Sequence, residues 1–374
     1  MRLADCHNFH DFRELARRRL PGPIFDYIDG GADDEVTYRR NTASFEQCDL
    51  LPDVLRGVAS VDLSVTVMGQ KLAMPFYCSP TALQRLFHHQ GERAVAAAAS
   101  KYGTMFGVSS LGTVSVEELR KAYSTPQIYQ FYFHRDRGLN RAMLQRAKDA
   151  GVEVMMLTVD SITGGNRERD LRTGFSIPFK LTLGGMLQFA LKPKWGLNYV
   201  THERFSLPQL DKHVDMGGNT MSIERYFTEM LDPSMNWSDV AEIVRDWNGQ
   251  FCLKGVMSVA DAKRAAEIGC TGIVLSNHGG RQLDGSRSAF DQLANRRCRG
   301  RPPGRDDGRR NPARDARPES SFARRQSRGH RTLLSFPPGG RGPSGCRAGS
   351  GPHARGNRAR NEADGPCLDQ PALA

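Results

Sequence analysis

Residues 273–310, IVLSNHGGRQLDGSRSAFDQLANRRCRGRPPGRDDGRR, decide both how this chain folds and where its folding pattern stops. The first half is an apolar strand, IVL, running into a polar loop that carries His278 and Arg281. From Asn295 the pattern gives way to Arg, Pro and Gly. A buried strand needs β-branched or aromatic residues. Residues 295–374 contain no Ile, Val, Met, Lys, Tyr or Trp, yet hold 12 Gly and 10 of the 20 Pro. The expectation is that nothing in 295–374 forms a buried strand. Two regions follow: 1–294, an ordered body, and 295–374, an Arg/Pro/Gly-rich disordered tail.

The charge divides at the same place. The chain has 52 Lys+Arg against 41 Asp+Glu, a net +11. Residues 295–374 hold 18 Arg and 7 acids, which leaves 34 of each sign in 1–294. The body is therefore neutral, and its charge gives no reason to expect a nucleic-acid partner. Eight cysteines show neither a CxxC pair nor the His spacing of a zinc site, so no metal is expected and the thiols read as reduced. The N-terminus has no apolar signal-peptide core, and no run is long enough to cross a bilayer. The expected location is cytoplasmic.

Upstream, short apolar runs alternate with helical patterns. Strands are predicted at 74–80, 104–110, 127–133, 152–160, 250–256 and 272–280. Helices are predicted at 91–103, 115–123, 137–151 and 258–269, the second capped by Ser115 with Glu118 three residues on. Such alternation implies a parallel sheet covered on both faces, in a doubly wound sheet or a (β/α)8 barrel. Thr81, Ser109, Gln130, Tyr132, Asp160, Lys254 and His278 all fall at strand C-termini. A barrel gathers those ends around one mouth, so the barrel is favoured, although it needs two more strands. Within the long excursion 161–249, the apolar segment 179–200 reads as a packed lid, with a membrane-surface segment as the alternative.

Four side chains suggest chemistry. An unperturbed imidazole has its pKa near neutrality, so a histidine at position 278 suits a general base. Asp160 can fix its tautomer and favour its charged form. Arg281 offers a bidentate fork for a carboxylate. Lys254 is unusual in an apolar run: it is either a snorkelling structural residue or a cation facing an electron-rich ring.

SNHGGRQLDG, LTVDS with GNRERD, YQFYFHRDR, SPTALQRL and FDYIDGGADDE, in that combination, resemble the FMN-dependent α-hydroxy-acid dehydrogenase and oxidase family over residues 8–294. That family includes L-lactate dehydrogenase and glycolate oxidase. The resemblance implies a (β/α)8 TIM barrel with FMN at its C-terminal mouth. It implies His278 as the base, Asp160 as its partner and Tyr132 on the reacting oxygen. Arg281 and Tyr27 would grip the substrate carboxylate, with Arg167 assisting. Lys254 would sit beside the flavin. Ser109, Gln130, Thr158 and the Pro80-Thr81-Ala82 backbone would line the ring. Only Arg167 and Glu168 of GGNRERD align safely with the family's spelling. The implied partners are a small L-2-hydroxy acid, lactate ahead of glycolate or mandelate, and a quinone or cytochrome acceptor. Peripheral membrane contact and a homotetramer are further expectations.

The family's phosphate-binding turns, expected after strands seven and eight, are missing from their place. One explanation is a basic nucleic-acid-binding arm, which predicts Lys as well as Arg. The favoured one is a slipped reading frame. Read one nucleotide later, the codons permit IVDAVGD from Asn295 and DGGIQRGTHVLKALSL across 305–323. They also permit GAKAVAIGR, and then GVERALGRMRAEIERGMKLMG from Gly345. Strands seven and eight would then be lost to an out-of-frame tail, and this polypeptide would hold FMN poorly.

Overall fold

The computed structural model describes residues 2–175, 183–203, 205–210, 226–298 and 332–335. Strands β1 (Val65–Val67) and β2 (Gln70–Leu72) form an antiparallel hairpin. The main sheet orders β3 (Phe106–Ser109), β4 (Gln127–Tyr132), β5 (Val154–Thr158), β6 (Gln250–Lys254), β7 (Gly272–Leu275) and β8 (Thr332–Ser335). From β3 to β7 every pairing is parallel.

These strands are buried along almost their whole length because both faces are covered. Helices Val116–Ala122, Arg137–Asp149 and Val259–Glu267 cross between successive strands. Their starts are fixed by sequence. Ser115 Oγ accepts from Glu118 N, the Asp136 carboxylate accepts from Gly138 N, and Ser258 Oγ accepts from Asp261 N.

Alternation along the strands separates two cores. Phe106, Tyr129, Met155, Leu157, Phe251, Leu253 and Ile273 pack with the helices. Ile128, Val154, Met156, Cys252 and Val274 face the other way, onto Val67, Met68 and Leu72 of the hairpin. The hairpin lies near the strand starts, since Thr271 Oγ1 approaches Met68 Sδ at 3.9 Å. Two residues further along the same inner face come Gln130, Thr158 and Lys254. The side that buries aliphatics below thus carries polar groups above. Five parallel strands with helical crossovers form an arc of a TIM-type barrel.

Three expectations need correction. Residues 74–80 do not form a strand. Only Cys78 pairs, by one parallel bridge to Phe106, and Pro75 and Pro80 have no N–H to extend the ladder. Second, 295–374 does contribute a strand: β8 runs antiparallel to β7, with Gly272 opposite Ser335 and Leu275 opposite Thr332. A sheet edge accepts any extended segment lacking proline, and TLLS is one. Third, the helix Ala289–Cys298 continues past Asn295, because arginine is a good helix former. The remaining shifted-frame segments fall outside the described residues.

Within the excursion, helices Leu183–Ala190 and Pro193–Thr201 are described. Trp195 stacks between Phe189 and Tyr199, and its Nε1 donates to Leu86 O at 2.9 Å. Leu187, Leu191, Leu197 and Val200 are exposed. The segment is therefore docked at one side and apolar on the other. No helix among the described residues is long and apolar enough to cross a membrane.

Candidate active site

Parallel register sets the floor of the site. Ser109 pairs with Gln130, Tyr132 with Thr158, and Thr158 with Lys254 across adjacent strands. Ser109 Oγ donates to Gln130 Oε1 at 2.9 Å, and Gln130 Nε2 donates to Thr158 Oγ1 at 2.8 Å. The result is a rail of oriented polar groups ending at Lys254, which is only 2% exposed. A buried ammonium needs a counter-charge. Asp160 provides it, with Oδ1 3.8 Å from Lys254 Nζ.

The loop after β7 supplies the imidazole. His278, Gly279 and Gly280 all have left-handed backbones, with φ of 56°, 72° and 72°. For a non-glycine residue this costs about 1–2 kcal/mol, so surrounding contacts must hold it. His278 N donates to Ser276 Oγ at 3.0 Å, and Ala32 N donates to Gly280 O at 2.8 Å. A Cβ on Gly280 would lie 2.5 Å from Tyr38 N, so only glycine fits. This turn aims His278 at Asp160, with Nδ1 2.8 Å from Oδ1. A carboxylate accepts, so Nδ1 carries the proton and Nε2 is the basic nitrogen.

The third component is cationic. Tyr27 lies on the helix Gly22–Asp29, and its ring stacks on Phe175 at 4.3 Å. Arg167 and Arg281 lie 5.3 and 5.1 Å from its centroid. Arg167 pairs with Asp170 at 3.0 Å, and Arg281 donates to Gly30 O at 2.7 Å. Burial, then the charge of Arg167, lowers the Arg281 pKa from its ordinary value. Two guanidiniums held this close favour an anion between them.

Of the predicted residues, Tyr27, Pro80, Thr81, Ala82, Ser109 and Gln130 line one cavity of about 330 Å³, as do Tyr132, Arg167, Lys254, His278 and Arg281. Asp160 and Thr158 join it through His278 and Gln130. The polar rail and the buried cation fit the ring system of a flavin, whose heteroatoms need such partners. The phosphate turns expected after two further strands have no counterpart among the described residues.

Sequence reading missed two groups of residues. Arg169, on the helix Glu168–Thr173, bridges Asp29 at 3.1 Å and Glu35 at 2.6 Å, tying that helix to the end of the Tyr27 helix and to the loop that follows it. The acidic DGGADDE and the basic NRERD were the only signals of it. Ser161 and Gln282 lie behind His278, Ser161 Oγ being 3.2 Å from its Nδ1. Nothing in their spacing announces this.

The model of the FMN-dependent dehydrogenase family matches residues 16–301. The L-lactate dehydrogenase of Caulobacter vibrioides is 40% identical over 284 residues, covering 76% of this chain and 74% of that protein. A protein of Mycobacterium tuberculosis described as a putative L-lactate dehydrogenase is 38% identical over 295 residues, covering 78% and 69%. Among solved structures, the monotopic membrane protein (S)-mandelate dehydrogenase matches with a TM-score of 0.73 at 32% identity, covering 80% of this chain and 79% of that one. The chain belongs to the FMN-dependent dehydrogenase family and has its α/β TIM-barrel fold.

Proposed function

We propose that the chain is built to oxidise an L-2-hydroxy acid, L-lactate foremost, to the 2-oxo acid. The observation that carries this reading is the 2.8 Å His278–Asp160 pair opening onto the cavity that also holds Arg281 and Arg167. FMN, when bound, supplies the acceptor for the two electrons that leave the substrate. Arg281 and Tyr27 hold the substrate carboxylate, and Arg167 adds charge beside them. Tyr132 hydrogen-bonds the reacting oxygen. His278 takes a proton at Nε2, and Asp160 stabilises the imidazolium so formed. Lys254 places a buried positive charge beside the ring. The names of the similar proteins support a small (S)-configured acid.

A quinone or cytochrome is the proposed acceptor. The exposed Leu187, Leu191, Leu197 and Val200 support peripheral contact with a membrane, where a quinone resides. A slipped frame is the proposed origin of 295–374. The chain's match covers 69–74% of those two relatives, and the family match stops at residue 301.

The test is flavin reduction. The full chain, and a version with the frame restored after residue 294, are incubated with FMN and freed of excess. The restored protein is expected to stay yellow, and the unaltered chain to lose most of its flavin. L-lactate added without oxygen should bleach the bound flavin, and D-lactate should not. Flavin that stays bound and is bleached by none of L-lactate, glycolate or (S)-mandelate would overturn the reading.

A further inference from the structure

We infer that Ser161 and Gln282 are positioning residues, forming a one-way hydrogen-bond chain that orients Asp160 toward His278. The inference rests on the proposed reading of His278 as the base, and deepens it.

The direction of the chain follows from its first donor. A backbone N–H can only donate. Gly165 N donates to the side-chain oxygen of Gln282, Oε1, at 2.7 Å. The amide orientation is thereby assigned, and Nε2 must face the other way. Nε2 also can only donate, and its acceptor is Ser161 Oγ at 2.9 Å. The serine hydroxyl, having accepted, has its own proton to place. Two groups lie within reach: His278 Nδ1 at 3.2 Å and Asp160 Oδ1 at 3.4 Å. Nδ1 already carries the proton it gives to Asp160 and has no lone pair to offer. The Ser161 proton therefore goes to Asp160 Oδ1, through a long bond.

Asp160 Oδ1 then accepts from an imidazole and from a hydroxyl, with the Lys254 charge 3.8 Å away. Two donors fix one oxygen better than one does, because rotating the carboxylate now breaks both bonds. The chain also links two loops. It begins at Gly165, beyond β5, and passes through Gln282, beyond β7. The loops can touch there because Gly165 has no side chain. A Cβ would lie 2.1 Å from Arg281 O. The consequence is a locked tautomer: with Oδ1 held against Nδ1–H, the lone pair of His278 stays on Nε2.

The test uses the full chain labelled with ¹⁵N-histidine, which needs no flavin. The His278 signals are those that vanish in His278→Gln. At pH 8 the wild type should show mostly the Nδ1–H tautomer. Gln282→Met keeps the length but neither donates nor accepts in the chain. Ser161→Ala removes the hydroxyl, and Ser161→Thr keeps it. Losing a bond of this kind should lower the tautomer ratio about fivefold in the first two variants and leave it unchanged in Ser161→Thr. In flavin-loaded, frame-restored enzyme, the first two should lower kcat roughly 5–50-fold. KM should stay within about twofold, because Arg281 and Tyr27 are untouched. Wild-type tautomer ratios in both Gln282→Met and Ser161→Ala, with circular dichroism unchanged, would overturn the inference. Loaded wild type that oxidises no hydroxy acid, with the tautomer shifts still present, counts against the proposed reaction alone.

Discussion

Two histidines sit just beyond strand ends in this molecule, and their surroundings are opposite. His134 follows β4 and is 0% exposed. Its Nε2 lies 2.6 Å from Tyr226 OH and its Nδ1 3.2 Å from Asn140 Oδ1. Asn140 also caps its backbone, accepting from His134 N and donating to His134 O, each at 2.9 Å. Burial pushes its pKa down to about 4. His278 follows β7, faces a carboxylate at 2.8 Å and opens onto the cavity. Burial keeps the His134 imidazole neutral and structural, outweighing the Asn140 hydrogen bond and the nearby Asp136 charge. A carboxylate behind and open space in front suit the proton acceptor proposed for His278.

The largest expected effect comes from exchanging what each histidine provides. His278→Gln should lower turnover of flavin-loaded, frame-restored enzyme roughly a thousandfold, within the usual range for losing a general base. Its unfolding free energy should change by less than about 1 kcal/mol. His134→Gln should do the reverse, costing on the order of 2–3 kcal/mol in urea unfolding while turnover per folded molecule stays within a few-fold. The comparison breaks if the two variants trade phenotypes.

Acid should find His134 next. Its ordinary pKa of 6.5 applies in the unfolded chain, and its folded value is about 4. Between those values the unfolded chain binds a proton that the folded chain refuses. This contribution is therefore complete above about pH 6.5 and is lost as pH falls toward 4, by up to roughly 3 kcal/mol. Urea midpoints measured from pH 7.5 down to 4.5 should fall, and His134→Gln should flatten the curve. An equal slope in His134→Gln would assign the acid sensitivity to other groups.

Much of this was legible in the sequence because it depends on local rules. Short apolar runs between helical patterns gave β4 and β5, whose inner faces end in Gln130, Tyr132 and Thr158. The Ser115 cap marked one crossover helix, and the Asp136 cap of the next became visible only in the structure. What failed was judged by average. TLLS was lost in the composition of eighty residues, although four residues suffice to pair with an edge. The stretch 74–80 looked apolar enough for a strand, but its prolines limit it to one bridge. The Gly165–Gln282–Ser161 chain was illegible for another reason. It depends on two loops more than a hundred residues apart touching where one lacks a side chain. His134 stood in the quoted YQFYFHRDR, yet no local pattern tells a walled-in histidine from one that opens onto a cavity.

The smallest effect is also the sharpest test of that separation. Tyr226 is almost fully buried, and its hydroxyl is placed to donate to His134 Nε2. Nδ1 serves Asn140, so the proton between Nε2 and the phenol belongs to the tyrosine. Burial, then the nearby Tyr132, raises the Tyr226 pKa well above its ordinary value and keeps that proton in place. Tyr226→Phe keeps the ring and leaves Nε2 buried without its donor, which should cost about 1–2 kcal/mol at pH 7.5. Combined with His134→Gln, the losses should add to less than their sum, since both variants break one bond. Tyr132, which lines the cavity and lies near Tyr226, connects this buried pair to the site. That link is electrostatic and passes through a phenol that stays neutral, so the kcat of loaded Tyr226→Phe should remain within about twofold of wild type. A larger fall would mean that the buried histidine helps to set Tyr132, and that the two imidazoles serve one site.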